Sequence, residues 1–423
     1  LQERQRKEKQ LLKQQQANAP GKSEAAAQQQ QRRPPPASLR QDDPRMVRKT
    51  EKNAPIQRVP AVKPVALFSH LTQYEKPSNL KVQSVVHPEI ISLGLQFSEF
   101  VISGGNARCM AMLNVFKKII TEYKTPAGTS LQRHLTTYLS KQIDFLTSCR
   151  VLAASMKSAI RFLKYQISIL NIDLPDSDAK TLLCEEIENY MFQKIVSADR
   201  IIVTNCVNNL HDGDVILTHG RSSVALAIFQ AAKDRGIKFR VIVCDSRPKL
   251  EGKELVRRLV ASDIPCSYLF SSALGTVMKQ VTKVIIGASA LFANGAVMSR
   301  IGTAAVTLMA YEYQVPVIVC CETYKFSDTV RLDSFVWNEI GDPDDLLDTS
   351  NSEPSSRLPS TVPCTENRKL SANLSEWKSI PSLALLSLHY DVTPAHAITM
   401  VISEIGIISS TSVVSVLREI SGN

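Results

Sequence analysis

The chain has 423 residues, 44% of them hydrophobic and 21% charged, the composition of a soluble globular protein with room for two domains and a sizeable core. Its formal charge of +10 is uneven: residues 1–60 carry 14 Lys and Arg against 6 Asp and Glu, and the remainder carries 36 against 34, so the basic character belongs to a tail. No run of roughly 20 apolar residues occurs, which argues against a membrane span, and nine cysteines without a CxxC pair argue against a zinc site. Cys320 and Cys321, adjacent in an apolar run, read as buried free thiols and fit a reducing compartment. The opening LQERQRKEKQ is too polar for a signal peptide, and the initial Leu leaves room for sequence upstream.

Residues 1–75 are Gln- and Pro-rich with scattered Lys and Arg. The expectation is a disordered basic arm, able to make weak contact with RNA, ribosomes or an acidic partner. From Pro88 the apolar spacing turns helical, and residues 85–210 read as a helical domain. Ile90, Leu93, Phe97 and Val101 make one stripe, Met112, Val115, Phe116 and Ile119 a second. Leu135, Leu139, Ile143 and Leu146 make a third, Ile160, Leu163, Ile167 and Leu170 a fourth. After Asp176-Ser177, residue types suited to an N-cap, a longer stripe runs through Leu183, Ile187, Met191, Ile195 and Ile202.

At Gly213 the pattern changes. Short apolar runs, Asp214 to Thr218, Phe239 to Asp245, Ser267 to Phe270, Val284 to Ile286 and Pro316 to Cys321, alternate with helical stretches. These are Ser222 to Ala232, Leu250 to Ala261, Leu274 to Val281 and Ala304 to Tyr313. This is the pattern of βαβ units and a parallel sheet, so residues 211–423 read as a Rossmann-like α/β domain. No GxGxxG follows the first strand, and dinucleotide binding is not supported. A polar stretch at about 348–378 reads as a disordered insertion. The C-terminal stretch reads as a turn at Thr393-Pro394, a helix, and a final strand around Val413 to Leu417. Val315 to Cys321 and Ala397 to Ile408 are apolar enough for either core or interface, with core favoured.

Three loops follow strands and point to one crevice. The first holds His219, Gly220, Arg221, Ser222 and Ser223, small residues at a helix start where backbone N–H groups can cradle a phosphate. The second, Asp245 to Pro248, offers Arg247 for a bidentate phosphate contact. The third runs from Gly287 to Thr303 and carries Asn294, Gly295 and Arg300. Each has a plainer alternative: His219 as a hydrogen-bonded loop histidine, Ser222 and Ser223 as helix caps, Asp245 and Arg247 as ties between strand and helix. Between Gly287 and Asn294 there is no carboxylate, histidine or cysteine, so this loop has the form of an active-site loop without groups for proton transfer.

DVILTHGRSS, CDSRPKLEGKEL, GASALFANGAVMSRIGT, CCETYKF, NEIGDPDDL and YDVTPAHAITMVISEIGII together resemble the regulatory subunits of eukaryotic translation initiation factor 2B. The resemblance covers residues 85–423 apart from the insertion, and the basic, Gln-rich arm ahead of the core points to the delta branch. The family shares its fold with isomerases of methylthioribose 1-phosphate and ribose 1,5-bisphosphate. Those enzymes carry a catalytic cysteine where this chain has Gly220 and a catalytic aspartate where it has Ser289. Both groups are missing while Gly287, Ala288, Asn294, Gly295, Gly302, Thr303 and Arg247-Pro248 remain, so the resemblance implies the isomerase scaffold with no catalytic residues, no cofactor and no metal. It implies a non-catalytic regulatory subunit of a cytosolic complex with alpha, beta, gamma and epsilon subunits; the alternatives are a sugar-phosphate isomerase or a metabolite-binding regulatory domain of the same fold. That complex exchanges guanine nucleotide on initiation factor 2; the subunit would bind the alpha subunit of that factor and sense its phosphorylation. Arg108, Lys117, Lys118, Arg150, Lys157 and Arg161 are candidates for a basic surface that meets the phosphoserine, against surface solvation as their ordinary role.

Overall fold

The computed structural model describes residues 63, 65–71, 85–171, 173–347 and 374–422. The arm expected over 1–75 lies largely outside the described residues, as does most of the insertion expected at 348–378. Where the ends of both are described, they are ordered. Ala66–Phe68 is a 3-10 turn with the Phe68 ring 5.5 Å from that of Phe335. Leu374–Ser379 is a 3-10 helix that buries Trp377, whose indole donates to Asp344 Oδ1 at 2.7 Å. An indole has apolar area to bury and one N–H to satisfy, and here both needs are met.

The helical region opens with α1 (Pro88–Ser98), α2 (Gly105–Glu122), α3 (Leu131–Cys149), α4 (Ala154–Ile169) and α5 (Asp176–Tyr190). Their apolar stripes meet in one core that includes Phe97, Met112, Phe116, Leu135, Leu163 and Ile187. Val101 lies beyond the end of α1 and is exposed, so it does not continue the first stripe. Pro175 holds the N-cap position of α5, with Asp176 already inside the helix. α5 passes without a break in helical backbone through a π-turn, Met191–Val196, into α6 (Ser197–Val207). The first part of this rod packs in the helical core, but Ile202, Cys206 and Val207 pack with the sheet. The boundary expected at 210 and 211 therefore runs through shared packing.

The sheet strands are β1 (Val215–His219), β2 (Arg240–Asp245), β3 (Cys266–Phe270), β4 (Lys283–Gly287), β7 (Val317–Cys320), β10 (Met400–Ser403) and β11 (Gly406–Ile408). They lie in the order β11-β10-β7-β4-β1-β2-β3, parallel except for the antiparallel β10–β11 pair at one edge. β1 is buried along its whole length because helices cover both faces. Its Ile216 packs toward α6, α7 (Ser223–Asp234) and α8 (Gly252–Ala261). Its Leu217 packs toward α9 (Leu274–Val277), α10 (Thr303–Glu312) and α11 (Val413–Gly422). The apolar stretches around 317–320 and 400–403 are thus core strands.

Two sequence expectations are corrected. The loop expected between β4 and α10 is a hairpin, β5 (Ala290–Phe292) and β6 (Val297–Arg300), joined by a tight turn at Asn294-Gly295. With β8 (Phe326–Ser327) and β9 (Tyr390–Thr393) it forms a four-stranded sheet, β8-β5-β6-β9. At the C-terminal end, the expected helix is the β10–β11 pair and the expected final strand is α11. Val413 and Val416 face the core and Leu417 packs against it, which is helical spacing, whereas Val401 and Ile402 are β-branched neighbours buried on opposite faces of a strand.

Candidate functional site

The strand order reverses between β1 and β4, so a crevice opens at their carboxyl ends. His219, Gly220, Arg247, Arg300, Ile301 and His389 are among the residues lining it. The cavity left there is about 30 Å³, room for one or two waters.

Three of the helices that begin at this edge have first-turn N–H groups taken by side chains of the chain itself. Ser222 caps α7, its hydroxyl accepting from Ala225 N at 3.3 Å. Asp245, buried at the end of β2, accepts backbone hydrogen bonds from Gly252 and Lys253 at the start of α8, and Tyr268 OH donates to its Oδ2 at 2.9 Å. Asp391, on β9, accepts from Gly302 N at 2.7 Å and Ala304 N at 2.9 Å with the same oxygen, and so caps α10. An anion at a helix N-terminus is stabilised by those N–H groups and by the macrodipole. Here the group at the start of α8 and of α10 is an internal carboxyl; burial raises both, that of Asp391 to about 7, against the backbone N–H groups that favour the charged form.

Arg300 is also committed. It pairs with Glu251 through Nε to Oε2 at 2.8 Å and Nη2 to Oε1 at 2.9 Å, and Nη2 donates to Ser103 O at 3.2 Å. Arg247 is exposed on the crevice rim, and Arg221 is exposed within electrostatic reach of Glu254. Ser223 is exposed on the first turn of α7. Asn294 and Gly295, expected at the crevice, are elsewhere. Asn294 Nδ2 donates to Arg331 O at 2.7 Å, and Gly295, at φ +77°, packs against the Ser410 backbone and the Ala395 side chain. The crevice thus gathers His219, Gly220, Arg247 and Arg300 but not the hairpin turn.

The two positions singled out as lacking chemical groups are now placed. Gly220 has φ +60°, a conformation that costs a residue with a Cβ about 1–2 kcal/mol. Ser289 is half-buried between β4 and β5, its N–H donating to Met298 O at 2.8 Å. His219 is no general base with an acid partner. It is buried, with Nδ1 3.1 Å from Thr303 Oγ1 and Nε2 without a hydrogen-bond partner. Burial pushes it down to about 4, only partly offset by Glu251, and burial does the same to His389. Both are neutral at physiological pH and supply no positive charge for a phosphate.

This fixes the sign of a pH effect. The unfolded chain takes up a proton on each histidine near pH ~6.5, and the folded chain does not until about 4. The stabilisation is present above the unfolded value and is lost as pH falls through that window. His219→Gln is expected to flatten part of the loss of melting temperature seen on acidification.

Asp245 does tie strand end to helix, the plainer of the two readings its sequence position offered, whereas the roles of Asp391 and Glu251 were not legible. Asp391 reaches its amides from 89 and 87 residues away, and no local spacing records that.

A model of the initiation factor 2 subunit family matches residues 101–410. The chain belongs to that family. It is 40% identical to the translation initiation factor eIF2B subunit delta of Schizosaccharomyces pombe, an alignment covering 90% of this chain and 78% of that one. It is 28% identical to the ribose 1,5-bisphosphate isomerase of Pyrococcus furiosus over 78% of this chain and 94% of the enzyme. Among solved structures, a chain of the tetrameric eIF2B-beta2-delta2 complex from C. thermophilum matches with a TM-score of 0.67 and 31% identity, covering 80% of this chain and 97% of that one. Within the family this chain stands nearer the delta subunits than the isomerases, which are distant relatives.

Proposed function

We propose that this chain is a delta-type, non-catalytic regulatory subunit of the exchange-factor complex initiation factor 2B, working in translation initiation in the cytosol. It assembles with a beta subunit and, through the complex, with alpha, gamma and epsilon. It contacts the alpha subunit of initiation factor 2 and responds to its phosphorylation. The likeness to delta subunits supports the assembly. The observation that carries the non-catalytic reading is internal capping: Ser222, Asp245 and Asp391 fill the helix N-termini that a phosphorylated substrate would need. No helix among the described residues is long and apolar enough to cross a membrane.

The basic surface proposed to meet a phosphoserine narrows. Arg108 and Arg150 are buried and are withdrawn from it. Lys117 pairs with Glu188 and Lys118 with Glu89 on the surface, where such pairs are weak and easily exchanged for a phosphate. Lys157 and Arg161 are exposed on α4. The test is reconstitution of the complex with and without this chain, followed by nucleotide exchange with phosphorylated and unphosphorylated initiation factor 2. Loss of the phosphorylation response without this chain, and its weakening on charge reversal at Lys117, Lys118, Lys157 and Arg161, are expected. Failure to co-elute with beta would sink the assignment.

Restoring both missing groups, Gly220→Cys with Ser289→Asp, is expected to give no isomerisation of ribose 1,5-bisphosphate above background. A thiol and a carboxyl alone do not reopen a 30 Å³ cavity or free Arg300 from Glu251.

A further inference from the structure

A second charged cluster lies away from the crevice, where α6 meets the loop after β7. Glu322 is fully buried there, and Lys325 nearly so. Lys325 Nζ is 2.6 Å from Glu322 Oε2, and Asn106 Nδ2 of α2 donates to Glu322 Oε1 at 2.6 Å. Asp199 of α6 sits within hydrogen-bonding reach of the same carboxyl, and its Oδ1 is buried without a donor. Two carboxylates have no hydrogen to place between them. A contact between them requires a proton on one, and a low-dielectric site favours keeping it.

The charge balance points the same way. Two carboxyls face one ammonium, so the group is neutral with one proton and carries an unbalanced negative charge without it. Among the described residues, the surroundings add no further cation. From the β10–β11 turn comes Glu404, which accepts from Thr323 N. From the end of β7 comes Cys320, from the loop Cys321 and Tyr324, from α2 Cys109, and from α6 itself Cys206; Arg200, next to Asp199, is exposed.

We propose that Asp199 and Glu322 share a single proton, and that this proton is a pH-sensitive clasp between the helical region and the sheet. With it, α6 is hydrogen-bonded to the loop that also holds Asn106 of α2 and receives the Ser158 hydroxyl of α4 at Tyr324 O, 2.7 Å. Without it, the buried charge of Glu322 and the half-buried charge of Asp199 push α6 and the loop apart.

Burial raises the Asp199 carboxyl to about 7, with the charge of Glu322 adding to the rise. Burial opposes ionisation of Glu322 too, but Lys325 beside it and the hydrogen bond from Asp199 bring it below the ordinary range. A folded value raised above the unfolded one gives stability that is full at low pH and is lost as pH rises through about 7.

The test is amide exchange on the full chain, corrected for intrinsic base catalysis, at about pH 6 and about pH 8. Opening of the Glu322-to-Phe326 loop and of α6 is expected to rise roughly tenfold between those values in the wild type. In Asp199→Asn, whose amide donates to Glu322 with no proton to lose, the rise is expected to vanish. Wild-type exchange that is flat over this range overturns the proposal without reference to any variant. A variant that keeps the wild-type rise overturns it as well, and Asp199→Ser serves should the asparagine variant fold poorly.

Discussion

Glu339→Ala is expected to lower folding stability by about 3–5 kcal/mol. Glu339 and Arg150 are 4% and 1% exposed at their side chains, with Nε to Oε1 at 2.5 Å and Nη2 to Oε2 at 3.4 Å. The Arg150 guanidinium also lies 3.8 Å from the centre of the Phe100 ring. Arg108 is buried close by, donating to Val151 O at 2.6 Å, and burial and then Arg150 push it down to about 10. Removing the carboxylate leaves the Arg150 guanidinium buried without its acid partner, with the buried charge of Arg108 adding to the repulsion. The urea midpoint at neutral pH should fall, with little change in slope. Replacing both members of the pair by apolar residues, Arg150→Met with Glu339→Leu, should recover most of the loss. Glu254→Ala, which breaks surface pairs with Arg257 and Arg258, should leave the urea midpoint nearly unchanged.

Gly302→Val is the second large effect, about 2–5 kcal/mol, from two separable causes. Gly302 has φ +99°, which residues with a Cβ rarely adopt, and a Cβ there would stand 2.7 Å from His219 Nε2 and 3.3 Å from Ser246 Cβ. Its N–H must meanwhile stay directed at Asp391 for α10 to remain capped. The melting temperature of Gly302→Ala should improve when His219→Ala is added, because the collision is relieved. It should not return to the wild-type value, because the backbone strain remains.

The helices of residues 88–207 were legible because their apolar positions repeat at helical spacing, and the parallel strands because they are short apolar runs between such helices. The same spacing held more than was taken from it. Arg108 stands four residues before Met112 on an apolar stripe, while Arg150, in extended backbone just past the end of α3, is buried by its pairing with Glu339, which no helical spacing records. Asn294-Gly295 between Ala290–Phe292 and Val297–Arg300 is a hairpin signal, and the small side chains around it disguised it as a loop. The exchange of helix and strand after Pro394 is decided by packing: Val413, Val416 and Leu417 repeat at helical spacing and meet the core on one side. The missing chemistry at Gly220 and Ser289 was plain in the sequence. What fills the crevice instead was not, since Glu251 with Arg300, and Asp391 with Gly302 and Ala304, are brought together by the completed sheets.

The rod from α5 through the π-turn into α6 carries one further implication. Its two ends are embedded in different apolar interiors, and a cut after it leaves Ile202, Cys206 and Val207 on the helical portion while the sheet loses that wall. Neither portion can be transplanted as a cassette by splicing near residue 210. Two fragments divided there would each expose an oily seam shaped for the other, and would be found reassociating in the test tube before either stood alone.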